Sequence, residues 1–289
     1  MEADKHNHQT KDMNSTAVPT DTQSILRVTL SGSSLVLTIL TLIVSIHLLH
    51  PSLMATIIAL APLPYIIHND YKAFLSLGPG GTPSTFPGYL KITCLRLFAL
   101  SDPYTPPQIL GTICPSIGHF GTDSSILPQR VGPRPRIAGI APQRQLDQWG
   151  CQTCHLALRR AIEKSASKDP QRLQVGVSCF EKNGFALFAV KPLNITCRGE
   201  ICHIHFSDRS LHLTLHPKDA KVILERGWGQ RHPLAKGGWM SKYVPKEFVM
   251  VYAPRDMNEV VVVLRIIEAA AWWVTGERID IPSPGKSIS

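Results

Sequence analysis

The chain has 289 residues, of which 44% are hydrophobic and 18% charged, so it can bury one sizeable core. Its formal net charge of +9 is spread thinly, without Lys/Arg runs or aromatic–basic interleaving, which favours an anionic membrane surface over nucleic acid as a partner. Seven cysteines without repeated spacing argue against a secreted disulfide framework and indicate a reducing compartment.

The N-terminal part of the chain changes abruptly from polar to apolar. Residues 1–24 are polar and predict a disordered tail. Residues 25–68 predict a transmembrane segment, because 28–67 contains no Asp, Glu, Lys or Arg. Two arrangements remain open, a helical hairpin or one span followed by an interfacial segment. We expect a single- or double-pass protein of the endoplasmic reticulum membrane, with its basic C-terminal domain in the cytosol.

A juxtamembrane and loop region is predicted at 69–142. Residues 89–100 read as a helix or a strand. Residues 101–142 are rich in Pro and Gly and therefore predict little regular structure. Such a segment serves either as a linker or as a lid over a pocket.

The remaining chain predicts an α+β domain at 143–276, with a polar, frayed tail at 277–289. Its expected architecture is one mostly antiparallel sheet with helices packed on it. The predicted elements are a helix at 143–167, a hairpin at 173–180 and 185–190 around an Asn-Gly turn, a strand at 247–252, and a helix at 257–274 capped by Asp256.

The first of these helices contains a Cys-x-x-Cys-His sequence at 151–155. This sequence matches the attachment pattern of c-type haem, but it fixes only three residues. A zinc site is a second interpretation, although its two halves lack standard spacing. The four cysteines of that site would be Cys151, Cys154, Cys197 and Cys202.

Residues 199–235 carry the densest histidine pattern. A strand at 202–206, a polar turn and a second strand at 210–216 predict a hairpin. Residues two apart in a strand share a face, so one face is aliphatic and the other carries imidazoles. The imidazoles predicted on that face are those of His203, His205, His212 and His216. A short helix at 217–226 and the loop after it return His232 towards the hairpin.

Several blocks of sequence resemble the fungal luciferases that emit light from 3-hydroxyhispidin, and the wider luciferase-domain family. The longest is GWGQRHPLA at 227–235, which follows HIH at 203–205 and SLHL at 210–213. Shorter blocks occur in the same order, namely DYKAFLSLGP at 70–79, FPGY at 86–89, RPRI at 134–137, QRQ at 143–145 and VYAPRD at 251–256.

The resemblance implies a membrane-anchored, luciferase-like oxygenase (a monooxygenase) that reacts O₂ with an electron-rich hydroxypyranone without flavin or haem. Such chemistry needs a base for an enol proton, donors for negative charge and a dry pocket. The catalytic candidates are His203, His205, His212 and His232, and the substrate-binding candidates are Arg231, Trp228 and Arg144. We expect His205 or His212 as the base, oriented by His203. Arg231 and His232 would bind the anion, and Trp228 would wall the pocket.

Two alternatives stay open. A divalent metal held by His203, His205 and His212 (or His232) would make the protein a metal enzyme on the same scaffold. A domain that only binds a lipid or small aromatic molecule would need neither base nor metal. The expected partners are therefore a small aromatic or pyranone substrate and a lipid bilayer. No cofactor is expected besides O₂ as co-substrate, with a divalent metal as the exception.

Overall fold

The structure is a computed structural model that describes residues 32–49, 57, 60–109, 111–121, 127–194 and 196–283. The predicted tail at 1–24 lies outside the described residues, as do parts of the apolar segment at 25–68. Among the described residues, no helix is both long enough and apolar enough to cross a bilayer. The predicted transmembrane segment is therefore without support in the structure.

A six-stranded antiparallel sheet forms the centre of the domain, with the strand order β3-β4-β5-β6-β8-β7. A separate two-stranded hairpin, β1–β2, precedes it. The strands are β1 Ile137–Gly139, β2 Gln143–Gln145, β3 Leu173–Val177, β4 Phe185–Ala189, β5 Glu200–Ile204, β6 Leu211–Thr214, β7 Gly229–Arg231 and β8 Phe248–Val251. The predicted α+β fold with helices and an antiparallel sheet is confirmed, and the β1–β2 hairpin is a second sheet that was not predicted.

Six α-helices are described. They are α1 Gly32–Leu49, α2 Pro62–Ser76, α3 Phe86–Arg96, α4 Gln152–Lys168, α5 Pro217–Glu225 and α6 Met257–Thr275. Helix α6 begins where predicted, because the Asp256 carboxylate accepts the backbone N–H of Glu259 at 2.9 Å.

The two faces of the sheet pack against different hydrophobic clusters. On one face, Leu211 and Leu213 of β6 pack with Val263 and Ile267 of α6 in a core that also includes α4. On the other face a second cluster forms under α2, α3 and the segment at 234–244. Leucines and histidines alternate along β6, so the leucines enter the first core and His212 faces the second cluster.

The helix predicted at 143–167 begins later than expected. Residues 143–145 form β2 and pair with β1, and α4 starts at Gln152, after Cys151 as its N-cap residue. The predicted apolar face shifts accordingly, and Trp149 is 63% exposed. The domain boundary predicted between 142 and 143 falls inside the β1–β2 hairpin.

Three other expectations are wrong. The residues after Gly227 form edge strand β7 on β8, where we expected only a loop. The tail after Glu277 is packed as far as Ile281, because Ile279 and Ile281 are buried in the first core. Four cysteines are paired, as Cys151–Cys154 and Cys179–Cys197. Three of the four cysteines of the zinc interpretation are engaged in these disulfides, so that interpretation is wrong.

Candidate functional site

A cavity of about 580 Å³ lies against the histidine face of the sheet. Imidazoles of His203, His212 and His232 form one side of it, and Phe248 and Phe180 contribute aromatic surface. Polar side chains around it include Gln143, Glu181, Lys91, Lys182 and Lys242. This is a volume in which a small aromatic ligand fits, because ligand pockets commonly measure about 300–1,000 Å³.

Strand pairing brings the histidines of the hairpin together. His203 of β5 is the direct cross-strand partner of His212 on β6. The His212 Nδ1 atom lies 3.2 Å from His203 Nε2 and 2.9 Å from His205 Nε2. One nitrogen from each of the three rings lies within 4.8 Å of the others. The predicted convergence of His203, His205 and His212 is therefore what the structure shows.

The outer nitrogens of these rings face acceptors. His203 Nδ1 lies 2.6 Å from Glu200 Oε1, and His212 Nε2 lies 2.8 Å from Gln143 Oε1. Because carboxylate and amide oxygens accept hydrogen bonds, these two ring nitrogens carry their hydrogens.

His205 is held in the same way by a hydroxyl. Its Nδ1 lies 2.8 Å from Ser210 Oγ, which in turn donates to Asp208 Oδ2 at 2.9 Å. The Ser210 hydrogen is therefore committed to Asp208, and His205 Nδ1 is the donor. All three inner nitrogens then present lone pairs to one another, a repulsive arrangement unless a proton or another cation lies between them.

His232 joins the cluster but has both ring nitrogens occupied. Its ring centroid lies 5.3 Å from that of His212. Nε2 donates to Ile140 O at 2.8 Å, and Nδ1 accepts the Leu234 N–H at 3.1 Å. This neutral imidazole positions the cavity wall and has no free lone pair for a substrate proton.

His216 lies apart from the other four imidazoles, contrary to the sequence pattern. It is the N-cap residue of α5, where its Nδ1 accepts the Lys218 N–H, and its ring contacts Trp273 in the first core. Strand β6 ends at Thr214, so the two-residue alternation no longer applies at this position.

Burial keeps most of the cluster uncharged. It lowers the pKa of His212 well below the ordinary value, and the nearby His205, His203, His232 and Arg144 lower it further. Burial also lowers the pKa of His205, against the opposing effect of Asp208, and lowers that of His232 to about 3. Burial would raise the pKa of Asp208, but hydrogen bonding to His205 and Gln145 brings it to about 2.

Two carboxylates flank the ring of His203. Glu200 contacts its Nδ1, and Glu181 Oε2 lies 4.0 Å from its Nε2. The ring therefore lies in a region of negative charge.

The predicted substrate-binding residues lie outside the cavity lining. Arg144 lies behind it, bonded to the Glu181 carboxylate and to Pro79 O. Arg231 donates to the backbone carbonyls of Thr105, Ala235 and Lys246. Trp228 belongs to the first core, on the helix side of the sheet.

Most of the chain is similar in sequence to fungal proteins that are named luciferase. It is 34% identical to a protein named luciferase from Neonothopanus nambi over 230 residues, which is 73% of this chain and 82% of that protein. It is 33% identical to a luciferase from Armillaria mellea over 251 residues, 81% of this chain and 88% of that protein. The chain belongs to the fungal luciferase family. A model of the luciferase domain matches residues 198–270. No solved structure matches the chain.

The luciferase-domain match and the cavity overlap only in part. Residues 198–270 contain Glu200, all four clustered histidines and Phe248, but the opposite wall comes from earlier parts of the chain. Gln143 and Glu181 both lie in that earlier part, and sequence reasoning missed both. The QRQ block contains Gln143, and this block was the available signal.

Glu200 was missed for a different reason. Strict alternation would place it on the face opposite His203. The register between β4 and β5 shifts at Leu187/Phe188, where Phe188 pairs with Glu200 and Leu187 with Cys202. This β-bulge re-aims the Glu200 side chain towards the histidine three residues later.

Proposed function

We propose that this member of the luciferase family is an oxygenase that reacts molecular oxygen with an electron-rich, enolic small molecule of the hydroxypyranone class. Relatives named luciferase support the reaction type. The single observation that carries the proposal is the carboxylate-backed imidazole of His203, which lies beside two further imidazoles on the wall of the cavity.

His203 is the base that the geometry favours. Its Nε2 carries the lone pair, and its Nδ1–H is held by Glu200, the arrangement by which a carboxylate orients and strengthens a histidine base. This differs from the sequence-based expectation of His205 or His212. His205 does not line the cavity, and the Nε2–H of His212 is committed to Gln143.

The substrate anion formed by loss of the enol proton needs positive partners. Lys91, Lys182 and Lys242 line the cavity and supply them. The amide Nε2 of Gln143 is buried and has no hydrogen-bond partner among the described residues, so it is free to donate to a substrate oxygen. An enolate held in this way can pass an electron to O₂, while the aromatic wall around Phe248 limits access of water to the oxygenated product.

The test uses purified full-length protein and 3-hydroxyhispidin, with oxygen uptake and photon emission recorded together. We expect oxygen uptake, and an H203Q variant slower by about 100-fold, since a general base contributes roughly 10²–10⁴-fold. The matched control is H68Q, which changes an exposed histidine of α2. Full turnover by H203Q would contradict the assignment of the base. Absence of oxygen uptake by the wild-type protein would contradict the substrate class.

A divalent metal is the second candidate for the cation at the centre of the cluster. Three inner nitrogens within 4.8 Å, each on a ring whose other nitrogen is hydrogen-bonded, form a ligand set with its supporting shell. Elemental analysis and Co²⁺ absorption spectra of the purified protein distinguish a bound metal from a proton at the centre of the cluster. One bound metal per chain, lost in H205Q, supports the metal enzyme. Full oxygen uptake by metal-free protein supports a proton as the cation between the three inner nitrogens.

Membrane attachment through residues 25–68 and location in the endoplasmic reticulum stay predictions. Fractionation of cells that express the full-length chain tests both.

A further inference from the structure

The Cys-x-x-Cys sequence at the start of α4 lies outside the proposed oxygenase site, and its two sulfurs differ in exposure. Cys151 is half-buried and is the N-cap residue of the helix, whereas Cys154 is fully buried in the first core. The two are joined as a disulfide across a separation of three residues. Only the Cys151 sulfur is therefore within reach of an external reagent.

The surroundings of Cys151 favour a thiolate. Its Sγ accepts the Cys154 N–H at 3.0 Å and lies 3.1 Å from the Thr153 hydroxyl. The first turn of α4 contains no acidic residue, and Arg209 reaches the adjacent Gln152 side chain at 3.0 Å. Helix N-termini and nearby cations stabilise a thiolate, as in the redox-active Cys-x-x-Cys sites of other proteins.

Two exposed aromatic side chains lie next to the residues that flank the pair. Trp149, two residues before Cys151, is 63% exposed, and Phe206, whose ring contacts His155, is 83% exposed. Large exposed aromatic side chains beside a reactive sulfur provide apolar contacts for a partner polypeptide.

We propose that Cys151–Cys154 is a thiol–disulfide exchange site, at which Cys151 is the sulfur that is attacked and Cys154 the sulfur that leaves. An incoming thiolate attacks Cys151 Sγ, the Cys151–Cys154 bond breaks, and the electron pair leaves on Cys154, which takes a proton from water. A second thiolate attacks the mixed disulfide and releases Cys151 as a thiolate. The sum converts one cystine and two thiols into two cysteines and one external disulfide.

The experiment equilibrates the full-length protein with reduced and oxidised glutathione over a range of ratios, followed by acid quenching, alkylation and peptide mass mapping. We expect the Cys151–Cys154 pair to interconvert as a two-electron couple within that range. A pair that stays entirely in one form throughout would overturn the proposal.

Two variants assign the roles of the sulfurs. In C154S, oxidised glutathione should modify Cys151 on the order of 10-fold faster than Cys94, an exposed free cysteine in α3 that serves as an internal control. In C151S, Cys154 should be modified more slowly than Cys94, because it is buried. Equal rates at Cys151 and Cys94, or a faster reaction at Cys154, would overturn the assignment.

Discussion

The carboxylate of Glu200 decides how His203 works. It lies 2.6 Å from the ring Nδ1 and is itself held by Ser178 Oγ at 2.9 Å and by Cys179 N at 2.7 Å. A carboxylate fixed by two donors keeps the imidazole in one tautomer, with the Nε2 lone pair directed to the other side of the ring.

Removing the charge of Glu200 tests whether His203 depends on this carboxylate. We expect E200Q to lower kcat for oxygen uptake by about 100-fold while KM changes little, because a neutral amide does not stabilise the imidazolium by charge and can either accept from or donate to Nδ1. The control is E163Q on α4, whose side chain is 41% exposed and pairs with Arg159. Thermal unfolding of both variants checks that the fold persists. An E200Q protein with wild-type kcat would show that His203 does not need the carboxylate.

His232 makes the fold sensitive to acid. Its pKa is lowered to about 3 by burial, so the unfolded chain takes up a proton below pH 6.5 and the folded chain does not. The free energy of unfolding therefore decreases as the pH falls below 6.5. At pH 5 the decrease from this residue is about 2 kcal/mol. Asp219 acts in the opposite sense, because burial raises its pKa to about 6.

Comparison with H232Q isolates the histidine from these other groups. Glutamine does not titrate, and its amide can donate to Ile140 O in place of the ring Nε2. We expect the loss of unfolding free energy between pH 7 and pH 5, measured by urea titration, to be smaller in H232Q by about 2 kcal/mol. The contribution of Asp219 is common to both proteins and cancels. Equal losses in the two proteins would mean that His232 is not buried as a neutral group.

Among the elements, the sequence predicts those whose pattern is local. The histidine hairpin, α5 and α6 follow from alternation, from proline at a first helical turn and from an N-cap aspartate. Strands β1, β2 and β7 are three residues each, and they exist because distant partners pair with them. No periodicity is measurable over three residues, so these elements were predicted as a loop or as part of a helix.

The candidate site divides in the same way. Imidazoles on one hairpin face follow from the strand period, so the cluster of His203, His205 and His212 was predictable. Gln143 lies 69 residues before His212 in the chain, and a β-bulge directs Glu200 towards His203. The two-residue strand period predicts neither position. Arg231 and Trp228 are near the cluster in sequence, but β7 and the first core hold them elsewhere.

The N-terminus of α6 offers a direct measure of how far local signals stabilise an element. The Asp256 carboxylate accepts the Glu259 N–H, one of the helix donors that otherwise has no partner. We expect D256A to lower the free energy of unfolding by about 1 kcal/mol, measured by urea titration. M257A, at the exposed neighbouring position, should change it by less than about 0.5 kcal/mol. Similar effects of both substitutions would show that the Asp256 N-cap does not stabilise the helix.

For the whole molecule, the sheet lies between the large hydrophobic core on one face and the cavity with its histidines on the other. Leu213 and His212 are consecutive residues of β6 and point to opposite faces. Leu213 enters the large core with α6, while His212 stacks on Phe248 with centroids 5.1 Å apart beside the cavity. Cavity-forming substitutions on the two faces should therefore have different consequences.

On the face of the sheet that packs on α6, we expect L213A to lower the free energy of unfolding by about 2–5 kcal/mol, because truncating a buried leucine leaves a void. The fraction of protein that stays folded should keep its KM for 3-hydroxyhispidin within about twofold of the wild-type value, since the cavity lies across the sheet. Urea titration and oxygen-uptake kinetics on the same preparations measure both quantities.

On the cavity face, F248L should have the opposite balance. Leucine preserves most of the apolar volume, so the free energy of unfolding should fall by no more than about 1.5 kcal/mol. The flat ring beside His212 is lost, and an aromatic contact is worth about 0.5–1.5 kcal/mol, so KM should rise roughly 3- to 10-fold. If L213A raised KM as much as F248L, the sheet would not insulate the two faces, and the histidine cluster would depend on the packing of α6.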